Sequence, residues 1–233
     1  MQMDNILFQY LEERFKQSQE EADKLPGPVI TISRETGCSA ILIAQELVRK
    51  INEKYNAGWT WIDKEILKSS ATELDNNLKE VMRFFDGQER SQLEEILSSF
   101  YSKHFHSDME IKNTVRRVIS SVAQKGNAVI IGRGGVAIAK NISKSLHVRI
   151  FAPYEWRVEN CMRKFKMSEK EAKKFVNHTD IKRQKLIELL YGCKIPNIDA
   201  IFDVSYNRSK LLAEEISDSI FELAVKLKLF EED

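Results

Sequence analysis

The chain is poor in the residues that mark special architectures. Three cysteines, four prolines and nine glycines among 233 residues exclude a collagen repeat, long disorder and a disulfide scaffold. Cys38, Cys161 and Cys193 are odd in number, widely spaced and without a C-x-x-C. That is not zinc spacing, and it reads as reduced thiols in a cytoplasmic protein. No apolar run approaches the ~18–20 residues a membrane span needs. Neither sign of charge dominates, since 36 basic residues stand against 35 acidic ones, so no global field draws the chain to nucleic acid. What is present is a 42% hydrophobic, 30% charged sequence, long enough to bury roughly 70–75% of its unfolded surface without staples.

Residues 1–25 lack the basic start and apolar stretch of a secretory signal. Ile6, Leu7, Tyr10, Leu11 and Phe15 recur instead at helical spacing, predicting an amphipathic helix packed on its own domain. Pro26-Gly27-Pro28 then punctuates the chain, and Val29-Ile30-Thr31-Ile32-Ser33 is a short β-branched run of the kind a buried parallel strand shows. A polar loop, Arg34 to Ser39, leads into a helical pattern from Ala40 to about Tyr55, and Trp59 to Ile62 reads as the next strand. This is a βαβ unit. Residues 64–125 are helical in texture and too long for a simple crossover, which predicts an inserted helical subdomain.

The α/β pattern resumes with strands at Ala128–Ile131, Val148–Phe151 and Ile201–Val204. Pro153 opens one helix, the capping box Ser168-Glu169-Lys170-Glu171 starts another, and Leu212, Ile216, Ile220, Leu223 and Leu227 mark a last one. The expected fold is α/β, a five-stranded parallel sheet sandwiched by helices. The domain proper spans about 26–230.

Ligands in open α/β sheets bind beyond the carboxyl ends of the strands. Three polar loops qualify: Ser33 to Ser39, Asp63-Lys64-Glu65 and Gly132-Arg133-Gly134-Gly135. The first joins a strand to a helix N-terminus, where backbone N–H groups and the helix dipole attract anions. Aligned on Gly37, however, the lysine position of a P-loop holds Ala40 and its magnesium hydroxyl position falls on Leu42. Alone, the loop reads first as a tight connection and second as a phosphate cradle. Asp63 serves equally as a helix cap or a ligand contact. Arg133, between glycines after a buried strand, has little structural reason to be there. Arg157, Arg163, Lys182 and Arg183 also read as solvated helix faces. His104 and His106 lie two apart and make a poor metal pair, and the Arg116-Arg117 helix and the lid cations are the weak hints of a nucleic-acid surface, against which the near-neutral charge speaks. Cys38 sits where a helix N-terminus lowers a thiol's pKa, although small-residue packing explains it as well.

The order of motifs carries more than any one of them. Ile32-Ser33-Arg34-Glu35-Thr36-Gly37-Cys38-Ser39, Ile62-Asp63-Lys64-Glu65-Ile66-Leu67, Ile131-Gly132-Arg133-Gly134, Phe151 to Arg157, Met167 to Ala172 and His178-Thr179-Asp180-Ile181-Lys182-Arg183 together resemble the cytidylate kinase-like family, a divergent branch of the nucleoside monophosphate kinases with a P-loop fold. The resemblance covers most of Val29 to Ala224 and is poorest in the inserted helices. It implies ATP-dependent phosphoryl transfer to a nucleoside monophosphate, CMP or dCMP first, with ATP and Mg2+ as cofactors; a homodimer is an open option that the sequence does not decide. Arg34, Arg133 and Arg183 would be catalytic. Gly37, Cys38, Ser39, Asp63, Arg157, Arg163 and Asp180 would bind nucleotide or phosphate, with no protein metal ligand singled out. The insertion at about 64–125 would form the acceptor arm and about 155–195 a lid.

Two departures from the family pattern set up an alternative. Ala40-Ile41-Leu42 stands where small or polar residues are expected, and the acceptor-side turn reads Gly-Arg-Gly where cytidylate kinases carry aspartate after the arginine. Losing a charged donor contact commonly costs ~2.7–4 kcal/mol of transition-state stabilisation. The alternative is a catalytically impaired nucleotide sensor or interaction module on the same fold.

Overall fold

The computed structural model describes residues 27–63, 120, 122–123, 125–132 and 134–231. The N-terminal helix expected over 1–25, nearly all of the insertion at 64–125, His104, His106, Arg116, Arg117 and Arg133 lie outside them. Five strands form one sheet: β1 (Val29–Arg34), β2 (Thr60–Ile62), β3 (Ala128–Ile131), β4 (Ser145–Phe151) and β5 (Val204–Asn207). Their order is β2-β3-β1-β4-β5, and every neighbouring pair is parallel. Helices α1 (Ile41–Tyr55), α2 (Gly135–Ile138), α3 (Tyr154–Phe165), α4 (Glu169–Tyr191) and α5 (Ala213–Lys226) complete the described elements.

The β-branched composition of β1 and β3 explains their central place. Val29, Ile30, Ile32 and all of Ala128–Ile131 are buried, as strands covered on both faces require. On one face Ile43, Ala44, Leu47 and Ile51 of α1 meet Ile216, Ile220 and Ala224 of α5. Trp59 closes this core against Phe230, edge to face at 5.4 Å, a geometry that aromatic pairs favour. Leu212 and Leu227, expected on the buried stripe of the last helix, lie exposed at its two ends.

The capping box at the start of α4 forms as the sequence predicts. Ser168 accepts the Glu171 N–H, and Glu171 accepts the Ser168 N–H at 2.8 Å. Pro153 stands one position outside α3, as its N-cap. The fifth strand is displaced from its expected span of Ile201–Val204. Asn197 accepts the Asp199 N–H at 3.1 Å and starts a 3-10 turn over Ile198–Ile201. The apolar pair Ile201-Phe202 therefore finishes a turn, and pairing with β4 runs through Val204–Asn207. Only Tyr206 of this edge strand is buried, so its alternation is weak in sequence.

β1 has its sequential successor, β2, on one side of the sheet, whereas β4 has β5 on the other. Their carboxyl ends therefore form a topological switch point, where α/β sheets place ligands. Near the opposite end of the same two strands, Thr31 Oγ1 and His147 Nδ1 lie 2.9 Å apart and buried, with Ser145 Oγ 3.3 Å from Nε2. Burial lowers the His147 pKa below its ordinary 6.5, with the Asp203 carboxylate opposing.

Because the folded pKa lies below the unfolded one, the unfolded chain binds more protons and stability falls with falling pH. The contribution of neutral His147 is complete above about pH 6.5 and is lost as pH drops through the folded pKa. Urea unfolding of wild type and His147→Asn should therefore show a stability difference that is larger at pH 7.5 than at pH 5. A difference independent of pH would refute the buried neutral imidazole.

Candidate functional site

The site is built from the loop after β1, the end of β4 and helices α3 and α4. Glu35 starts the loop, its N–H donating to Ile150 O at 3.0 Å. Its carboxylate receives Arg149 Nη2 at 3.0 Å, Arg157 Nε at 3.1 Å and the Ala152 N–H at 3.3 Å. Arg149 also reaches Asp199.

Arg157, in the first turn of α3, is the hub. Its side chain is 10% exposed, and a guanidinium withdrawn from water needs acceptors around it. They are present. Nε donates its hydrogen bond to Ala152 O at 3.1 Å, its contact with Glu35 being an ion pair, and Nη1 donates to Thr36 O at 3.3 Å and Asp180 Oδ2 at 2.5 Å. Asp180, from the middle of α4, turns its other oxygen to the loop: Oδ1 accepts the Thr36 N–H at 2.8 Å and the Thr36 hydroxyl at 2.7 Å. One helical turn on, Arg183 Nη1 donates to Arg34 O at 3.0 Å. Burial pulls the Arg183 pKa downward and the Asp180 charge pulls it up.

Gly37 follows at φ +93°. A Cβ there would sit 2.8 Å from Arg157 O and 2.9 Å from its Cα, so the glycine admits the backbone of α3. Asn160 Nδ2 donates to Gly37 O at 3.2 Å, and exposed Arg163 donates to Asn160 Oδ1 at 2.5 Å. Arg163 thus lies one link away from the loop. Cys38 turns into the core, 3% exposed, and its N–H donates to Glu35 O at 3.1 Å. Burial, reinforced by the Glu35 charge, pushes its thiol up to about 12. This reverses the activation that its place beside a helix N-terminus suggests, because desolvation outweighs the dipole. Ser39 is exposed.

Ala40 is the N-cap of α1, buried and without a capping side chain, and no acid occupies the first turn. Ile41 packs against the core, and Leu42 is 58% exposed. Arg34, at the end of β1, crosses to the turn after β3, where a Cβ at Gly132 (φ +70°) would collide with its Nη1. Asp63 is buried just beyond β2. The structure therefore brings together Arg34, Gly37, Arg157, Asp180 and Arg183, with Asn160 linking Arg163. The sequence reading missed Thr36, Arg149 and Asn160 as site residues and assigned Glu35 no role. A charged Arg149 within a β-branched strand was the one local sign of them.

The profile of the cytidylate kinase-like family matches residues 29–210, from the first strand of the sheet to just past the last. The chain belongs to the cytidylate kinase-like family. An uncharacterized protein from Eubacterium ventriosum, solved by crystallography, shares its fold with a TM-score of 0.55 at 19% identity, over 86% of this chain and 99% of that one. Shikimate kinase from Acinetobacter baumannii, in complex with shikimate, aligns with a TM-score of 0.49 at 12% identity, over 87% and 96% of the two chains. A uronate isomerase from Corynebacterium glutamicum is 30% identical over 117 residues, which are 50% of this chain and 22% of that protein. The family and the five-stranded parallel sheet together define a P-loop kinase-like α/β fold. Among the described residues no helix is long and apolar enough to cross a membrane.

Removing Arg157 takes a shared counter-ion from the half-buried Glu35 and Asp180 carboxylates, and breaking such a network from one side is strongly destabilising. Arg157→Met should lower the unfolding free energy by about 3 kcal/mol, measured by urea denaturation. Arg157→Lys should recover less than half, because a single ammonium cannot reach Glu35, Thr36 O and Asp180 in fork geometry. Full recovery by lysine would show that charge alone is needed.

Proposed function

We propose that this member of the family is a nucleoside monophosphate kinase that transfers the γ-phosphoryl group of ATP to CMP or dCMP. The observation that carries the reading is the convergence of Arg157 and Arg183 on the end of β1 and the loop that follows it, with the Arg34 guanidinium at the neighbouring turn after β3, at the switch point of the sheet and beside an α1 N-terminus that no side chain caps. Phosphoryl transfer asks a protein mainly for positioning and charge neutralisation. Guanidinium groups grip phosphate oxygens through paired donors, and they supply here the positive charge that a lysine at position 40 would otherwise bring. Within the network Glu35 and Asp180 balance Arg149 and Arg157. Arg183 adds positive charge, donating to a backbone oxygen, and Arg34 brings a second guanidinium to the turn after β3.

The residues present suit the donor phosphates, whose place would be the N-terminal turn of α1. They also suit a magnesium ion held chiefly by those phosphates. Among the described residues no group of three or more His, Cys, Asp or Glu forms a metal cage, and Mg2+ typically takes one or two carboxylates plus phosphate oxygens and water. Asp63, buried just beyond β2, would be the candidate carboxylate for that role. When bound, the ion neutralises charge developing on the transferred group. The chain's own part is to orient the acceptor phosphate with Arg34 and Arg133, to hold the donor side with Arg183, and to exclude water under α4.

A coupled assay with ATP, magnesium and CMP, dCMP or UMP tests the proposal. Wild type should turn over at least one acceptor, and Arg34→Met and Arg183→Met should each lower kcat by about 100-fold or more. A second reading, a nucleotide sensor without turnover, is favoured by buried Ala40 and exposed Leu42 at the two positions where a P-loop carries lysine and a hydroxyl. Calorimetry separates the two, since ATP binding with no turnover across the acceptor panel replaces the kinase by the sensor.

A further inference from the structure

The Asp180 carboxylate is seated as an anionic ligand would be. One oxygen takes a backbone N–H and a hydroxyl from Thr36, and the other takes the Arg157 guanidinium. The donors come from two separate elements, 144 and 23 residues away in sequence. A backbone N–H, a hydroxyl and one guanidinium N–H are donors of the kinds that also hold a phosphoryl group. The seat lies in the loop that leads to the uncapped start of α1, and its occupant is carried on a helix of the lid-like region. We propose that Asp180 is a built-in occupant of an anion seat, and that a phosphoryl group of the nucleotide enters by displacing it. This rests on the nucleotide-binding reading above and adds to it a competition between the protein's own carboxylate and its ligand.

Two further observations fit displacement. The Asp180 side chain is 29% exposed, so an anion from solvent reaches the seat without passing through the core. Thr179, its neighbour on α4, has a buried hydroxyl oxygen with no hydrogen-bond partner. An unsatisfied polar group beside Asp180 lets this turn of the helix gain a hydrogen bond if it shifts. Arg157 does not lose all its acceptors when Asp180 leaves, because Glu35, Ala152 O and Thr36 O still hold it. The cationic side of the seat persists. A ligand that must evict an internal competitor binds with an affinity reduced by the fraction of molecules in which the seat is vacant.

The test is pyrophosphate binding to the full chain, by calorimetry, for wild type, Asp180→Ala and Asp180→Asn. Asp180→Ala should bind at least tenfold more tightly than wild type. Asp180→Asn, which keeps an acceptor for Thr36 but not the charge, should fall between them and serves should the alanine variant unfold. Affinity equal to or weaker than wild type in both variants overturns the proposal, as does absence of binding in all three proteins. Hydrogen exchange adds a readout that a merely structural Asp180 would not move. Saturating pyrophosphate should speed amide exchange across 176–184 of wild type, and unchanged exchange there with pyrophosphate bound overturns displacement. Turnover of CMP by wild type is measured alongside. Turnover without tighter binding in the variants sinks the displacement alone, and tighter binding without turnover sinks the kinase alone.

Discussion

Arg157 is a full positive charge held almost out of water, and the site is arranged around satisfying it. Such a group is tolerable only where acceptors surround it with good geometry. Here they come from the β1 loop, the end of β4 and the middle of α4. Three stretches of chain, the β1 loop, the corner from β4 into α3 and the middle of α4, are thereby fixed to one another at the carboxyl edge of the sheet. The same constraint explains Gly37. The α3 backbone must approach the loop closely for the guanidinium to reach Thr36 O, and only a residue without Cβ leaves that space.

The arrangement also bears on how a loop without the usual lysine can still favour anions. Lysine offers a point charge on a flexible stem, whereas arginine offers a planar fork whose direction is set by its partners. Arg34 is directed by the turn at Gly132 and Arg183 by the carbonyl of Arg34 itself. Positive charge is thus supplied by side chains anchored on backbone and buttressed by Glu35 and Asp180. Cys38 contributes through packing and through its N–H, since its buried thiol remains neutral.

The parallel sheet was legible because its central strands are short runs of β-branched residues bounded by glycine or proline. Val29–Ile32 and Val129–Ile131 carry that signal in every residue. Ile201-Phe202 carried the same signal falsely: the Asn197 side chain starts a turn there, and the true edge strand is mostly polar. The Ser168–Glu171 capping box was readable since both partners lie within one turn. Arg157, Asp180 and Arg183 became legible through the order of family motifs. Thr36 and Arg149 did not, because their partners lie 114 to 144 residues away and no local periodicity encodes such pairings. The bland reading of the lid cations fails for Arg157, which is buried, and holds for exposed Arg163.

The register of β1 has a consequence for biosynthesis. Val29 pairs with Ala128 on one side and with Ser145 on the other, so both neighbours of the central strand are made long after it. At about 5–20 residues per second, a nascent chain waits roughly 5–20 s between making β1 and completing its first partner. Throughout that interval an apolar, β-branched segment lacks both of the strands that pair with its edges in the folded sheet. The ribosome-bound intermediate is therefore where this protein is most exposed to self-association, and where a holdase chaperone would act on it to greatest effect.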